Sequence, residues 1–228
     1  MNLLKVGFVY MMNEKTTFKF KSKSCSEMIE THPYEPFVDK DTRIIIIGTT
    51  PPMRFTQKLP LNEDDVNFYY GSRDNYFWTL IGDLFEVNFL NQNSLEAVQQ
   101  RKVFLIQNKI GLVDIVNEFS RSNNDASDNN LHVTKFQDIY SILKNNPQIQ
   151  KVYFTGYSGP NSAESLTSRH LGERKVFNTI LSHNKPKHKI FKIENRPIHS
   201  YSLYSPSPAA RKKYADILVN YQVLKNDN

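Results

Sequence analysis

The feature that most constrains the fold is a run of four isoleucines, Ile44–Ile47, closed by Gly48. An unbroken β-branched run of this kind predicts a strand buried on both faces, as in a parallel sheet covered by helices on each side. Residues 151–156 (KVYFTG) also end in glycine, and residues 111–116 (GLVDIV) and 189–193 (KIFKI) are further short apolar segments. We therefore predict a three-layer α/β/α sandwich around a central, mainly parallel four-stranded sheet.

Helices are predicted between these strands from the spacing of apolar residues. Pro208 in a first turn predicts a terminal helix that begins there and continues through AARKKYADILVNYQVL. The helix over residues 93–107 is expected to bury one apolar side, formed by Leu95, Val98, Val103 and Ile106. The other predicted helices cover residues 76–85, 136–143 and 162–181.

Composition narrows the class of protein. Hydrophobic residues make up 39% of the 228 residues, which is enough for one domain with a real core. We assign this domain to residues 31–228 and treat residues 1–30, polar and Lys-rich from residue 13 onward, as a loosely attached N-terminal extension. The apolar start, residues 1–12, is too short to span a bilayer and is not followed by a small-residue cleavage site. We therefore expect a cytoplasmic protein without a membrane partner, and a monomer.

The cysteine and histidine content argues against metal and redox sites. Cys25 is the single cysteine, so the chain offers neither an internal disulfide nor a set of thiolate ligands. The six histidines show no i, i+4 spacing of the kind that binds zinc. We expect neither a metal nor a cofactor.

Positive charge is concentrated in the second part of the chain. Residues 1–130 contain 14 Lys and Arg against 17 Asp and Glu, whereas residues 131–228 contain 15 against 6. Arg211, Lys212 and Lys213 form a compact cluster that suits an anionic partner such as a phosphate backbone. An ordinary solvated basic surface is the alternative reading of the same charges.

Three loops carry most of the chemically useful residues: residues 48–52 (GTTPP), 69–78 (YYGSRDNYFW) and 205–211 (SPSPAAR). Ligands of open α/β sheets bind beyond the carboxyl ends of the strands, where such loops converge. None of the three is a phosphate-binding P-loop, a G-x-G-x-x-G turn or a G-x-S-x-G elbow. Nucleotide hydrolysis, dinucleotide redox chemistry and serine-esterase chemistry therefore lack their usual motifs.

At these residues the chain resembles the uracil-DNA glycosylase superfamily, most closely its mismatch-specific and hypoxanthine-directed branches. The first motif of that family, an apolar strand running into Gly-x-x-Pro, is matched by Ile44 to Pro51, and its later Asn-x-Phe-Trp by residues 75–78 after Tyr69-Tyr70. Its Gly-Leu-x-Asp segment, with a following Arg and Ser-Asp, looks like residues 111–114, Arg121 and Ser127-Asp128. Its final Pro-Ser-rich turn is similar to residues 205–211, and residues 32–37 (HPYEPF) resemble the lead-in of bacterial members.

The resemblance implies a metal-independent, monofunctional DNA glycosylase of base excision repair, which hydrolyses the N-glycosidic bond of a deaminated base, uracil or hypoxanthine, flipped out of DNA. Such a hydrolase needs an aromatic face for the base, donors for the charge that develops on it, and a positioned water. The implied catalytic residues are Thr50, Asn75 and Ser205. The implied substrate-binding residues are Gly48, Thr49, Pro51, Tyr70 as the stacking face, Asp114 and Ser207, and the DNA-binding residues are Ser207, Arg211, Lys212 and Lys213.

The chain departs from the family at Thr50, where Asn or Asp usually orients water. The Thr50 hydroxyl or carbonyl is one candidate for that role, and Asn75 is another. A member of the family that binds DNA or a free base without cleaving it is therefore an alternative, as is an enzyme acting on nucleosides or other small glycosides. Structural roles also stay open: Asn75 and Ser207 as helix caps, and Asp114 as a group that bonds its own loop.

Overall fold

The computed structural model describes residues 28–121, 131–184 and 186–226. Its main sheet has six strands instead of the predicted four, in the order β3-β2-β6-β9-β8-β7. The four consecutive strands β3, β2, β6 and β9 are parallel. Strand β8 pairs antiparallel with β9, and β7 pairs antiparallel with β8 at the edge of the sheet. The bounds are β2 Ile44–Gly48, β3 Ile110–Asp114, β6 Lys151–Thr155, β7 Thr179–Ser182, β8 Lys187–Ile193 and β9 Arg196–Leu203.

The isoleucine run is the centre of the core, as the sequence predicts. Successive side chains of a strand point to opposite faces of its sheet. Ile44 and Ile46 belong to one buried cluster, and Ile45 and Ile47 to the other. All five residues of β2 are buried because the strand is paired on both edges and covered on both faces.

Helices cover both faces and complete the predicted three-layer sandwich. On one face lie α2 (Phe77–Phe85), α3 (Leu95–Gln107) and α6 (Tyr214–Asn226), which contribute the buried side chains Trp78, Phe104 and Tyr221. On the other face lie α4 (Ile139–Asn145) and α5 (Ala163–Glu173), with Leu143 and Leu166 in the second cluster. A short helix, α1 (Met53–Thr56), follows β2.

A second, three-stranded antiparallel sheet packs beside this second layer. It consists of β1 (Glu30–Thr31), β4 (Val116–Arg121) and β5 (Leu131–Phe136), in the order β1-β4-β5. Phe119 and Leu131 from this sheet belong to the second core cluster. Glu30, which we assigned to the extension, is buried in β1, so the folded unit includes it. Residues 1–27 lie outside the described part of the chain.

Several sequence predictions need correction. The predicted fourth strand, residues 189–193, is the antiparallel β8, whereas the fourth parallel strand is β9, which we did not predict. Residues 131–136 form β5, so the helix predicted from Phe136 starts at Ile139. The helix predicted over residues 162–181 ends at Glu173, and β7 follows it.

The terminal helix does not begin at Pro208. Pro208–Ala210 form a single 3-10 turn, which ends at Arg211 in a left-handed conformation with φ of 52°. The helix α6 starts only at Tyr214. The Ser205–Ser207 turn therefore precedes one turn of helix and not the N-terminus of a long one.

Candidate active site

A cavity of about 150 Å³ lies at the carboxyl ends of the parallel strands. Register places these ends in one row, because Gly48 pairs with Asp114 and Thr155 pairs with Leu203. A protein cavity of roughly 150 Å³ holds one benzene ring, so the volume suits a single planar ring. Its described lining residues are Thr49, Thr50, Pro51, Pro52, Phe55, Phe68, Tyr70, Gly71, Ser72, Asn75, Asp114, Arg121, Thr155, Ser205, Pro206 and Ser207.

The structure thus brings the three predicted loops together around one space. All predicted catalytic and substrate-binding residues line the cavity except Gly48, which lies immediately beneath it at the end of β2. Gly48 is required there because a Cβ would overlap the Oδ1 atom of Asp114 and the hydroxyl of Tyr70. The backbone of this loop is fixed by Ile115, whose N–H donates to the carbonyl of Gly48 at 2.9 Å.

Tyr70 is held in an unusual conformation. Its φ of 54° lies in the left-handed region, which residues with a side chain adopt much less often than glycine does. The ring stacks on Phe77, with centroids 4.1 Å apart, and the hydroxyl lies 2.9 Å from Thr155 Oγ1. Burial, and next the charge of Asp114, raise the pKa of Tyr70 well above its ordinary value. The phenol therefore stays protonated at neutral pH and keeps a hydrogen to donate.

Asn75 combines a structural contact with a free donor. Its Oδ1 accepts from the N–H of Phe77 at 2.9 Å, at the start of α2. This contact identifies Oδ1 as the oxygen of the amide, because a backbone N–H needs an acceptor. The Nδ2 group has no partner within residues 28–121, 131–184 and 186–226, and the residue lines the cavity. The cap and the functional role that we considered for Asn75 are therefore compatible.

The Ser205–Ser207 turn forms another part of the cavity wall. Ser205 Oγ accepts from the N–H of Ser207 at 3.2 Å, and Ser207 Oγ accepts from Ala209 at 3.3 Å. The carbonyl of Pro206 accepts from the N–H of Tyr76, which links this turn to the loop before α2. Ser207 is thus the cap of the 3-10 turn as well as a lining residue.

The basic cluster lies next to this wall. Arg211, Lys212 and Lys213 are exposed and do not line the cavity. Lys212 Nζ lies 5.1 Å from the ring centroid of Tyr204, and the three side chains make no ion pair with the described acidic residues. Their charges remain accessible to an anion in solvent.

Asp114 ends β3 and is nearly buried, with 8% of its side chain exposed. Its Oδ2 lies 2.9 Å from Nε2 of His32, and Nδ1 of that histidine lies 2.8 Å from the carbonyl of Tyr34. Oδ1 makes no hydrogen bond within the described parts of the chain. Asp114 therefore does more than bond its own loop: it joins the cavity to a buried histidine 82 positions away in sequence.

Sequence reasoning missed several lining residues. Thr155 is the last residue of β6 and supports Tyr70, but no motif marks it. Arg121 entered only as part of the family pattern; in the structure its guanidinium pairs with buried Glu30 at 3.1 Å and donates to the Pro51 carbonyl at 3.3 Å. Ser127 and Asp128, the rest of that pattern, lie outside the described residues.

The described residues contain no group of three or more His, Cys, Asp or Glu side chains placed to hold a metal ion. Among them, no helix combines the length and the apolar character needed to cross a membrane.

Comparison with known proteins supports the fold. The chain is similar to the solution NMR structure of a protein from Methanosarcina acetivorans described as a putative uracil DNA glycosylase, with a TM-score of 0.54 and 19% sequence identity. The match covers 87% of this chain and 99% of that one. No protein-family model and no curated protein matches the chain. The fold implied by the family resemblance is therefore confirmed: the chain has a uracil-DNA glycosylase-like fold.

Proposed function

We propose that this protein is a DNA glycosylase that hydrolyses the N-glycosidic bond of a deaminated base, uracil or hypoxanthine, flipped out of DNA. The observation that carries the proposal is the ring-sized cavity at the carboxyl ends of the parallel strands, beside the exposed cations Arg211, Lys212 and Lys213. An extruded base needs a pocket for one ring system, while the phosphates on either side need positive charge at its mouth.

The lining residues offer the contacts that such a reaction requires. The aromatic ring of Tyr70 supplies a face for the base, and the free Nδ2 of Asn75 supplies a donor for charge that develops on it. Ser205 and Ser207 supply hydroxyl groups to the same cavity. No lysine occurs among the described lining residues, so we propose simple hydrolysis without cleavage of the abasic sugar. We further propose that the protein acts as a monomer in the cytoplasm, in base excision repair, without a cofactor.

Base release from defined oligonucleotides tests this function. Single- and double-stranded DNA carrying one uracil, hypoxanthine or xanthine is incubated with the protein, and alkali then breaks any abasic site. We expect cleavage at the position of uracil or hypoxanthine, and none of free deoxynucleosides. Tyr70→Ala and Asn75→Ala should each reduce release at least about 100-fold, since both groups act on the reacting base. Gln99→Ala, which removes an exposed amide from α3, is the matched control.

A DNA-binding protein without glycosylase activity is the second candidate, and Thr50 is the observation that favours it. Its hydroxyl cannot act as a carboxylate would, and Thr50 Oγ1 is buried without a hydrogen-bond partner among the described residues. This candidate predicts salt-sensitive binding of the same oligonucleotides with no abasic product at high protein concentration. Cleavage at any of the three bases would exclude it.

A further inference from the structure

Hydrolysis of a glycosidic bond requires a group that receives a proton from the attacking water. Among the described lining residues, few side chains can do this. Tyr70 keeps its proton because burial and Asp114 raise its pKa, and Arg121 carries only donors. The remaining polar side chains are hydroxyls and one amide, which are poor bases, and Asp114. Asp114 is thus the one described lining residue with a carboxylate.

The two oxygens of the Asp114 carboxylate differ in their hydrogen bonding. Oδ2 is engaged by His32 at 2.9 Å, whereas Oδ1 has no hydrogen-bond partner in the described chain. Oδ1 packs against Gly48, so close that a Cβ at position 48 would overlap it. A carboxylate with one oxygen anchored and one oxygen open beside a cavity has the geometry that a general base needs.

His32 fixes the orientation of this carboxylate. Its side chain is 4% exposed, and both ring nitrogens face partners, Asp114 on one side and the backbone of Tyr34 on the other. The ring also packs against Tyr34 and Tyr69, with centroids 5.7 and 5.4 Å away. An imidazole bonded at both ends and packed against two aromatic rings cannot turn without losing these contacts. We therefore treat His32 as a positioning residue.

Thr50 supplies a second polar atom in the same cavity. Its Oγ1 is buried and has no partner in the described part of the protein. A buried hydroxyl without a partner leaves an unmet hydrogen bond, which a water molecule with two or more polar neighbours can fill. Thr50 and Asp114 both line the cavity, and neither Thr50 Oγ1 nor Asp114 Oδ1 has a hydrogen-bond partner in the described chain.

We propose that Asp114, oriented by His32, is the general base of this protein and that Thr50 helps to hold the water it activates; this inference rests on the proposed glycosylase function. As the C1′–N bond breaks, its electron pair leaves with the base, and the water oxygen bonds to C1′. Oδ1 of Asp114 takes one proton from that water. The proton then passes to the departed base or to solvent, which restores the carboxylate and leaves an abasic sugar with a C1′ hydroxyl.

Several titratable groups of the described chain lie around Asp114. The imidazole of His32 contacts it directly, and the phenols of Tyr34, Tyr69 and Tyr70 are close enough for its charge to raise their pKa values, after burial, which is the larger cause. Arg121, paired with Glu30, also lines the cavity.

The test compares single-turnover base release over pH for the full-length protein and two sets of variants. Asp114→Asn should lower the rate about 10²- to 10⁴-fold and abolish its fall on the acidic side, while DNA affinity stays within threefold. In Asp114→Ala, added formate should restore part of the rate, which also shows that the variant is folded. His32→Gln should lower the rate at least tenfold and distort the pH profile. Glu86→Gln, which alters an exposed carboxylate at the end of α2, is the matched control and should leave both unchanged.

The possible results distinguish a failure of the general-base assignment from a failure of the proposed glycosylase function. If the unaltered protein releases no base from any substrate, both the proposed function and this inference fail. If that protein is active but Asp114→Asn keeps its rate within threefold, or keeps the acidic limb, the inference alone is overturned. The inference would also be overturned if Asp114→Asn weakened DNA binding but released the base from bound DNA at an unchanged rate. Asp114 would then serve to recognise the base.

Discussion

Gly48 is the position where the cavity allows least change, because a Cβ would overlap both Asp114 Oδ1 and the Tyr70 hydroxyl. We predict that Gly48→Ala moves one of these groups, lowers base release at least tenfold and costs about 1–3 kcal/mol of unfolding free energy, as overpacking does. Gly172→Ala is the control, since Gly172 lies within α5, where a new Cβ would meet no other described part of the chain within 4 Å. It should leave activity unchanged and add about 0.4–1 kcal/mol. Equal behaviour of the two variants would contradict the close packing at Gly48.

The Arg121–Glu30 pair connects the second sheet to the cavity wall. Its side chains are 2% and 3% exposed, so removal of one partner leaves a buried charge. We predict that Arg121→Ala lowers the free energy of unfolding in urea by about 3 kcal/mol, at the lower end for such pairs, because Thr56 and Gln57 still donate to Glu30. Lys135→Ala breaks an exposed pair with Glu118 in the same sheet and should cost less than about 1 kcal/mol. A comparable loss in both variants would show that burial of Arg121 contributes nothing.

The sequence predicts the lining residues better than the contacts between them. The convergence of loops at one edge of the sheet predicted a common site, and the family resemblance selected Thr50, Asn75 and Ser205 within those loops; all three line the cavity. The pairing of His32 with Asp114 could not be predicted, because it joins residues 82 positions apart through a register that only the folded sheet defines. Thr155 was missed for the same reason.

The predictions of secondary-structure elements and of their buried sides were wrong where polar residues are buried. We predicted an apolar side on α3 that includes Leu95, but Leu95 is 84% exposed and Arg101 is almost fully buried. The Arg101 guanidinium donates to the carbonyls of Leu90 and Ala97 and lies 5.0 Å from the Trp78 ring centroid, so its burial depends on tertiary partners. Strand β9 was missed likewise, because its sequence RPIHSYSL contains a proline and buries Ser200 and Ser202.

The loop between α1 and α2 predicts a pH dependence of stability. Asp65 is fully buried; burial alone would raise its pKa, but hydrogen bonds from Arg54 and from the N–H groups of Arg73 and Asn62 outweigh it and lower the pKa to about 2. The pKa of an Asp in an unfolded chain is near 3.9. The lowered pKa of Asp65 therefore contributes about 2 kcal/mol to the free energy of unfolding above pH 5, and this contribution is lost as the pH falls toward 2. Urea unfolding at pH 7 and pH 3 should show Asp65→Asn less stable at pH 7 and a smaller difference at pH 3. A constant difference would contradict this assignment.

For DNA binding by the whole molecule, we expect the positions of the basic residues to matter more than the net charge. The net charge of +6 is modest, but the described basic residues of the second half include a cluster at the same end as the cavity. Lys212 packs over Tyr204, and Lys187 over Tyr157, on the segments that follow β9 and β6. Three other exposed cations, Lys40, Arg43 and Lys109, precede β2 and β3 and therefore lie at the opposite end of the sheet.

This arrangement predicts which cations bind DNA. Neutralisation of Arg211, Lys212 and Lys213 together to Gln should weaken binding of a lesion-bearing duplex and reduce the slope of log affinity against log salt by about 2 to 3, because each lost phosphate contact removes about 0.9. The triple Gln variant of Lys40, Arg43 and Lys109 changes net charge equally but acts at the amino ends of the strands, so its slope should stay within about 0.5 of the unaltered protein. Fluorescence anisotropy between 50 and 300 mM salt measures both slopes. Equal slopes in the two variants would mean that DNA responds to overall charge, and the cluster beside the cavity would then have no special role in binding.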